Sequence, residues 1–580
     1  MTARLARHWV LAALAAYFAW PVLSTGSALG IEDWDAQLLQ HATVFRSVYE
    51  YGQLPFWNPW FCGGNVLWQN PQAPLLSPVY VMALGASIPM AMKLNIALHY
   101  FAGLVGMQRL LEGAFGITSR AWLLFLAALY AFAGGATLHL SVGHATFLPY
   151  FYLPWLLWFF LSALELGTLR HATAAGGVMA LSIWAGGIYV TVMAGVSLAV
   201  LAASAAVLRR DWRPVALLAL TAALGGMLAA PKLLPVLFFS ADPGIVDIRY
   251  FRPEPDQLSL RLLTTSLLEP YQYRRLMMGG MLYGWHEYGN YVGSVGVFFV
   301  LAAVSHVITR RPFRTENWLG VSLALTTIVL LLLAIGDHGP YAPYSLVRRL
   351  PGLADLRVPS RYLLVATLFG AATLAWVVGR AQPSTVFRET LARLLAVALV
   401  LSTLFVLNRN RSLLEGAFPY SPLQYSFAFL STPPPPVLDA DTDGFGPDSP
   451  MLRAMASGRA VLRCNEPLHL AGEVDGSRGP VFSDGATLSR ITFSPNRIAF
   501  AANVRESPAR VFLNQRHARG WRSSAGPVEI DPGTKLAYVT LPPGAAGVYW
   551  FSFVPPGLLT GLCLCGLGLV LAWLVRRRRV

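Results

Sequence analysis

Asp33 and Asp35 stand two residues apart in GIEDWDAQLLQHATVFRSVYEYGQLPFWNPWFCGGN, residues 30–65, a stretch that also carries Glu32, Trp34, Trp57 and Trp60. Such a pair has two chemical uses. In extended chain, side chains two apart point the same way, so both carboxylates can hold a divalent ion, Mg or Mn. Alternatively, one carboxylate at a low-dielectric boundary, its pKa pushed upward, serves as a general base that deprotonates a hydroxyl. On a helix, residues two apart do not face each other. The pair then reduces to solvated acids capping the helix AQLLQHATVFRSVYEYG, since Asp is a favoured N-cap.

Other candidates lie far along the chain. Glu269 in LLEPYQY and Glu287 in GWHEYGNYVG supply acids that can complement Asp33 or pair structurally. Arginines gather in two segments: Arg249, Arg252, Arg261, Arg274 and Arg275 within 238–290, and Arg348, Arg349, Arg357 and Arg361 within 336–361. A guanidinium is a natural fork for phosphate at headgroup level. Arg357 and Arg361, in LADLRVPSRYL at the mouth of a helix, are the preferred lipid-phosphate ligands; snorkelling or pairing with Asp355 is the plain alternative. Arg274, Arg275, Lys232 in AAPKLLP and His144 in SVGHATF are further candidates on the donor side. A lone His such as His144 or His139 is more often a hydrogen-bonded structural residue, and a Lys near a span end faces a cavity or snorkels. No Gly-rich phosphate loop, nucleophile elbow or zinc helix is present, and WHEYGN lacks the second histidine. A cytosolic nucleotide-driven mechanism therefore has no support.

The elements that must hold these residues are apolar. The chain has 580 residues, 55% hydrophobic and 13% charged, and its apolar residues come in blocks of the length a bilayer core of roughly 30 Å requires. Membrane-spanning helices are expected at about 9–29, 91–112, 121–139, 146–166, 172–187, 189–207, 214–237, 291–308, 317–335, 362–379, 391–407 and 550–575. Residues 74–90, broken by prolines, read as re-entrant or interfacial, with a span as the alternative. The start resembles a signal peptide, but its apolar run lacks a clean small-residue cleavage site, so a retained helix is expected. With the amino terminus inside, the alternate connections carry Arg4 and Arg7, Arg120, Arg170, Arg209, Arg210, Arg213, Arg310, Arg311, Arg314, Arg380, Arg388, Arg393 and Arg576 to Arg579. That satisfies the positive-inside rule, with both termini cytoplasmic and about twelve helices. It also explains much of the net charge of +15 without nucleic acid.

The opposite, extracytoplasmic side then holds outer loops 30–73, 238–290 and 336–361, and the segment 408–549. After Pro-rich sequence, TLSRITF, RIAFAANV, ARVFLN, KLAYVTL and GVYWFSF alternate with period two and predict an antiparallel β-sandwich. The expected organisation is a transmembrane domain over 1–407, a β-sandwich domain over 408–549, and a last helix with a basic tail over 550–580. Cys62 and Cys464 both fall outside and can pair or stay as two free thiols; Cys563 and Cys565 lie in an apolar run as packing residues.

YGQLPFWNPWFCGGN…NPQAPLLSP resembles the G-x-x-P-x-W-N-P…G-x-P…P stretch of the bacterial YfhO-like membrane proteins, within the GT-C superfamily of polytopic glycosyltransferases. Gly143-His144, LLEPYQY, NYVG, LPGLADLRVPSRY and FLNQRHARGWRSSAG…LPPGAAGVYWFSFVPPGLLTG are similar to further family motifs, in the same order. The resemblance implies a GT-C-like fold with Asp33 as the catalytic acid of the first outer loop. It also implies a polyprenyl-phosphate sugar donor whose phosphate meets basic outer-loop residues.

The resulting expectation is a mainly α, polytopic protein of a bacterial-type inner membrane. It moves sugar from a polyprenyl-phosphate donor to a glycan, lipid or protein acceptor of the cell envelope, in contact with membrane lipids and not nucleic acid. Outside the cytoplasm no nucleotide sugars are available, so the donor arrives on a lipid. Asp33 takes the acceptor proton, with Asp35 and Glu287 as the other candidate catalytic acids, and Arg357 and Arg361 hold the leaving phosphate. Trp34 and Trp57 stack on sugar or, more plainly, anchor the loop, as do Trp60 and Trp68. The alternative is a non-catalytic transporter or binding scaffold for lipid-linked glycans.

Overall fold

Long apolar blocks become helices because a helix satisfies its own backbone polar groups where no water can. The computed structural model describes residues 2–240, 256–273, 277, 281–309, 315–350, 353–354, 356–380, 386–423, 435–439, 448–463 and 470–577. Among these, nine helical stretches are long and apolar enough to cross a membrane: Ile88–Phe115, Arg120–Ser141, Ala145–Leu166, Ile188–Arg209, Arg213–Ser240, Trp318–Ile335, Pro359–Arg380, Ala392–Leu414 and Leu558–Arg577. The expected count of about twelve is not reached by that measure. Thr2–Leu23, Leu169–Trp184 and Ser294–Thr309 fill three of the expected positions but are shorter or less apolar. Residues 74–90 form no spanning helix. Their prolines leave the four-residue helix Val79–Met82, after which Ser87 caps Ile88–Phe115 by accepting from Met90 N.

Two departures from regular helix shape the end of the bundle that matters below. The expected span 121–139 is two helices, Arg120–Ala131 and Gly134–Ser141. At the break, Gly134 N donates to Tyr291 O (3.0 Å) and Asn410 Nδ2 donates to Phe132 O (2.6 Å). A Cβ on Gly134 would lie 2.8 Å from Tyr291 N, so glycine lets the broken helix press against residues 290–291. The next helix begins as a 3-10 stretch, Ala145–Tyr152, before Leu153–Leu166.

The alternating segments do form a sandwich. One four-stranded antiparallel sheet contains Val481–Asp484, Ala509–Leu513, Ala537–Leu541 and Glu529–Ile530; the other contains Ala486–Ser494, Arg497–Val504, Ala546–Phe553 and Trp521–Ser523. Ile498, Phe500, Val511, Leu513, Val539, Phe551 and Phe553 fill the space between them. The last span starts later than the expected 550. GVYWFSF keeps its period-two pairing to Ser552↔Arg497, Pro555 and Pro556 follow the strand, and the helix runs Leu558–Arg577.

Residues 51–66 tie the sandwich to the bundle. Trp57 and Val66 pair in a two-stranded ribbon and belong to the sandwich core. Asn496 Nδ2 donates to Leu54 O (2.6 Å), and Arg516 N donates to Gly63 O (2.9 Å). Cys62 is disulfide-bonded, whereas Cys563 and Cys565 are free; Cys464 lies outside the described residues.

Candidate active site

Asp33 occupies the N-cap of Trp34–Tyr49, but its backbone is helical (φ −66°, ψ −8°) and its side chain makes no capping bond. Its N–H donates instead to Val142 O (3.1 Å). That approach depends on Gly143, at φ +92°: a Cβ there would lie 2.1 Å from Trp34 N and 2.5 Å from Asp33 C. The glycine thus sets the next residue, His144, against the acid. His144 Nε2 lies 3.2 Å from Asp33 Oδ2, and the Asp33 side chain is 45% exposed.

Behind this pair stands a buried row of charged and titratable groups. His144 Nδ1 is 2.8 Å from Nδ1 of His139, near the end of Gly134–Ser141. The His139 ring stacks on Phe147 with centroids 3.7 Å apart, and its Nε2 lies 4.0 Å from Glu287 Oε2. Glu287 belongs to the single turn Trp285–Tyr288. Arg361 grips it twice, Nε to Oε2 at 2.8 Å and Nη2 to Oε1 at 2.5 Å. Ser360 Oγ donates to Glu287 O (2.7 Å), and Arg361 lies over the Tyr189 and Phe147 rings. The His286 ring is 5.5 Å from that of His144.

Burial alone would push the Glu287 carboxyl up, but the Arg361 guanidinium outweighs it and holds the group well below the usual carboxylate range. Burial opposes charge on His144 as well; the hydrogen bond and charge of Asp33, with Glu287 beyond, leave it above the ordinary histidine value. The arrangement offers one half-exposed carboxylate able to receive a proton, backed by an imidazole and a neutralised buried ion pair.

Four of the residues singled out in the sequence, Asp33, His144, Glu287 and Arg361, therefore meet. The others lie elsewhere or do other work. Asp35 is not in extended chain beside Asp33; it sits in the first helical turn, 5% exposed, and accepts from Met451 N and Leu452 N (both 3.3 Å) at the start of the helix Pro450–Ala456. The Asp33–Asp35 pair does not fit a divalent ion, because helical geometry separates the side chains and both Asp35 oxygens are committed. His139, His144 and Glu287 do bring donor atoms within 4.8 Å of one another. Both Glu287 oxygens are held by a guanidinium, however, which is a poor setting for a second cation.

Trp34 and Trp57 do not present faces for stacking on sugar. Trp34 is fully buried, donating Nε1 to Leu140 O (3.0 Å) and packing on Phe418. Trp57 is fully buried among Trp521 and Phe553 and donates to Gln515 Oε1. Lys232, 1% exposed, donates Nζ to Ala73 O and so ties its helix to the Pro-rich segment. Arg357 is half-buried four residues before Arg361, and its carbonyl accepts from Asp256 N (2.9 Å). Arg274 and Arg275 lie outside the described residues.

His139, expected as a lone structural histidine, instead contacts His144, and His286, which the sequence offers only within a WHEYGN that lacks a second zinc histidine, lies against it as well. The available signal was SVGHATF itself: a glycine next to a histidine, five residues after another histidine, at a helix break.

No family model and no curated protein matches the chain. Among solved structures it is similar to the arabinofuranosyltransferase AftD from Mycobacteria, at 16% identity over 71% of this chain and 27% of that one, with a TM-score of 0.43. It is also similar to the archaeal oligosaccharyltransferase AglB from Archaeoglobus fulgidus in complex with an inhibitory peptide and a dolichol-phosphate. There the identity is 12% over 79% of this chain and 64% of that one, with a TM-score of 0.39. The chain thus spans about a quarter of the mycobacterial protein's length and just under two thirds of the archaeal protein's.

Proposed function

We propose that this chain is a GT-C-like membrane glycosyltransferase that moves a sugar from a polyprenyl-phosphate donor to an acceptor hydroxyl on the extracytoplasmic face. The observation that carries the reading is the convergence of Asp33, His144, Glu287 and Arg361, drawn from four distant stretches, around one half-exposed carboxylate. The ordered motifs that resemble the YfhO-like proteins support it: they contain His144 and Arg361, NYVG begins three residues after Glu287, and Asp33 stands at the spacing before YGQLPFWNP that the resemblance implies for the acid.

The side is argued from charge. Ala145–Leu166 begins beside His144 and Pro359–Arg380 begins with the residues around Arg361, so the site lies at one end of these helices. Their far ends carry Glu165 and Arg380, which share a surface cleft with Arg209 and Trp318. If the arginine-rich end faces the cytoplasm, as the positive-inside rule requires, Asp33 faces outward.

In the proposed step Asp33 takes the acceptor proton as the acceptor oxygen bonds to the sugar's anomeric carbon. The bond from that carbon to the phosphate oxygen breaks, and its electron pair leaves with the lipid phosphate, so configuration inverts. Arg361 does not act as a free phosphate fork, because Glu287 occupies two of its N–H groups. It fixes the buried side of the site instead, and the phosphate role proposed here stays with Arg357. Purified protein assayed against a panel of labelled polyprenyl-phosphate sugars, with and without chelator, should give an inverted product with at least one donor. Movement of labelled lipid across vesicles with no transfer from any donor would favour a transporter instead.

A further inference from the structure

We infer that Asp33 and His144 act as one proton-sharing unit whose working form is carboxylate beside imidazolium, with the His139 tautomer, fixed by Glu287 and Arg361, deciding where the proton sits. The inference deepens the proposed transfer reaction and rests on it for its role in turnover, but the protonation pattern stands on geometry.

Arg361 grips both oxygens of Glu287, which fixes an ionised carboxylate 4.0 Å from His139 Nε2. A bare nitrogen lone pair facing that charge is unfavourable, so Nε2 of His139 carries the ring proton. His139 Nδ1 is then an acceptor. The 2.8 Å contact between the two Nδ1 atoms needs one N–H, and His144 must supply it. A neutral His144 would now turn its Nε2 lone pair on Asp33 Oδ2, two acceptors 3.2 Å apart. A second proton between them removes the conflict, giving Asp33 carboxylate against His144 imidazolium.

The groups facing His144 agree in sign. Asp33 comes from the start of Trp34–Tyr49, neutral His139 from Gly134–Ser141, Glu287 and His286 from Trp285–Tyr288, and Arg361 from the turn Pro359–Arg361. Two anions and one permanent cation surround the ring, which favours its charged form against burial. His144 and His139 are positioning residues, since neither needs to touch the substrate. The imidazolium keeps Asp33 ionised and turned so that its exposed side receives the acceptor proton, which then leaves to solvent while His144 retains its own.

Long-range proton–nitrogen correlation on protein labelled with 15N-histidine tests this without substrate, the His139 and His144 signals being assigned by their loss in His139→Gln and His144→Gln. At pH 7 the wild type should show His139 as the neutral Nε2–H tautomer and His144 as imidazolium. A neutral His144, or a His139 protonated on Nδ1, would overturn the inference even in an active enzyme. In turnover, the wild-type rate should fall on the alkaline side as His144 loses its proton, above the ordinary histidine range. His144→Gln should lower the rate about 10²-fold or more and abolish that limb. Retention of the limb in His144→Gln would also overturn the inference. Absence of transfer from every donor, with the predicted tautomers present, would instead sink the reaction and leave the proton-sharing pair standing.

Discussion

Asp33 and Asp35 are the same side chain two residues apart, and their surroundings give them opposite work. Asp33 is half-exposed against an imidazole, whereas Asp35 is buried on the backbone of Pro450–Ala456 and burial pushes its carboxyl up to about 7. Because the folded form holds a proton that the unfolded chain has lost, Asp35 should make stability fall as pH rises from about 4 to about 7. Asp35→Asn should flatten that dependence in thermal melts and leave transfer largely intact. Glu287 has the opposite sign: its lowered carboxyl contributes stability above the usual carboxylate range and loses it as pH falls through the folded value. Glu287→Gln, which leaves the Arg361 charge buried and uncompensated, should cost about 3–5 kcal/mol in unfolding experiments. Both acids of the D-x-D were visible in the sequence. Which one stayed accessible was not, because that depended on the backbone being helical at Asp33 and on a partner helix more than 400 residues away.

At the scale of elements, the site is assembled by a helix break and one glycine. The period of the apolar residues located the segment 121–139 but not its division at Phe132 and Ala133, which is set by packing of Gly134 and Gly135 against Tyr291 and Asn290. Gly143→Ala should force the Asp33–Trp34 backbone away and cut transfer by at least an order of magnitude. The sandwich should keep its protease resistance in that variant, since the contact is local. The strands were legible because period-two patterning reports a sheet with one buried face. The join at 550–558 is where two signals overlap: GVYWFSF alternates as a strand, yet it runs straight into the apolar stretch of the last span, so that span is expected to start at 550, whereas pairing with Arg497–Val504 carries the strand on to Phe553.

At the scale of the whole molecule, a multi-pass helical bundle and a β-sandwich keep separate cores and are joined by Trp57, which the loop after Trp34–Tyr49 inserts into the sandwich beside Trp521 and Phe553. Trp57→Ala should cost the sandwich about 3–5 kcal/mol and open it to proteolysis. The helix Trp34–Tyr49, which separates Asp33 from the loop bearing Trp57, is not among the stretches able to cross a membrane, so the sandwich and Asp33 lie on the same side. Of the three lysines, Lys93 and Lys232 are buried and Lys535 is exposed on the sandwich. A membrane-impermeant amine reagent applied to intact spheroplasts should therefore modify Lys535; modification only after lysis would reverse the orientation. Charge placement makes an orientation available as an expectation: with the arginine-bearing helix ends inside, Asp33 and the sandwich face outward. The pocket was less readable, since hydrogen bonds between residues distant in sequence leave no periodic trace. The central claim is that Asp33 is the base of a sugar transfer. Its most direct test is the single-turnover rate of labelled sugar from a lipid-phosphate donor in proteoliposomes, wild type against Asp33→Asn, at matched donor binding. The account predicts transfer by the wild type and a loss of at least 10²-fold in Asp33→Asn; an undiminished rate in the variant would contradict it.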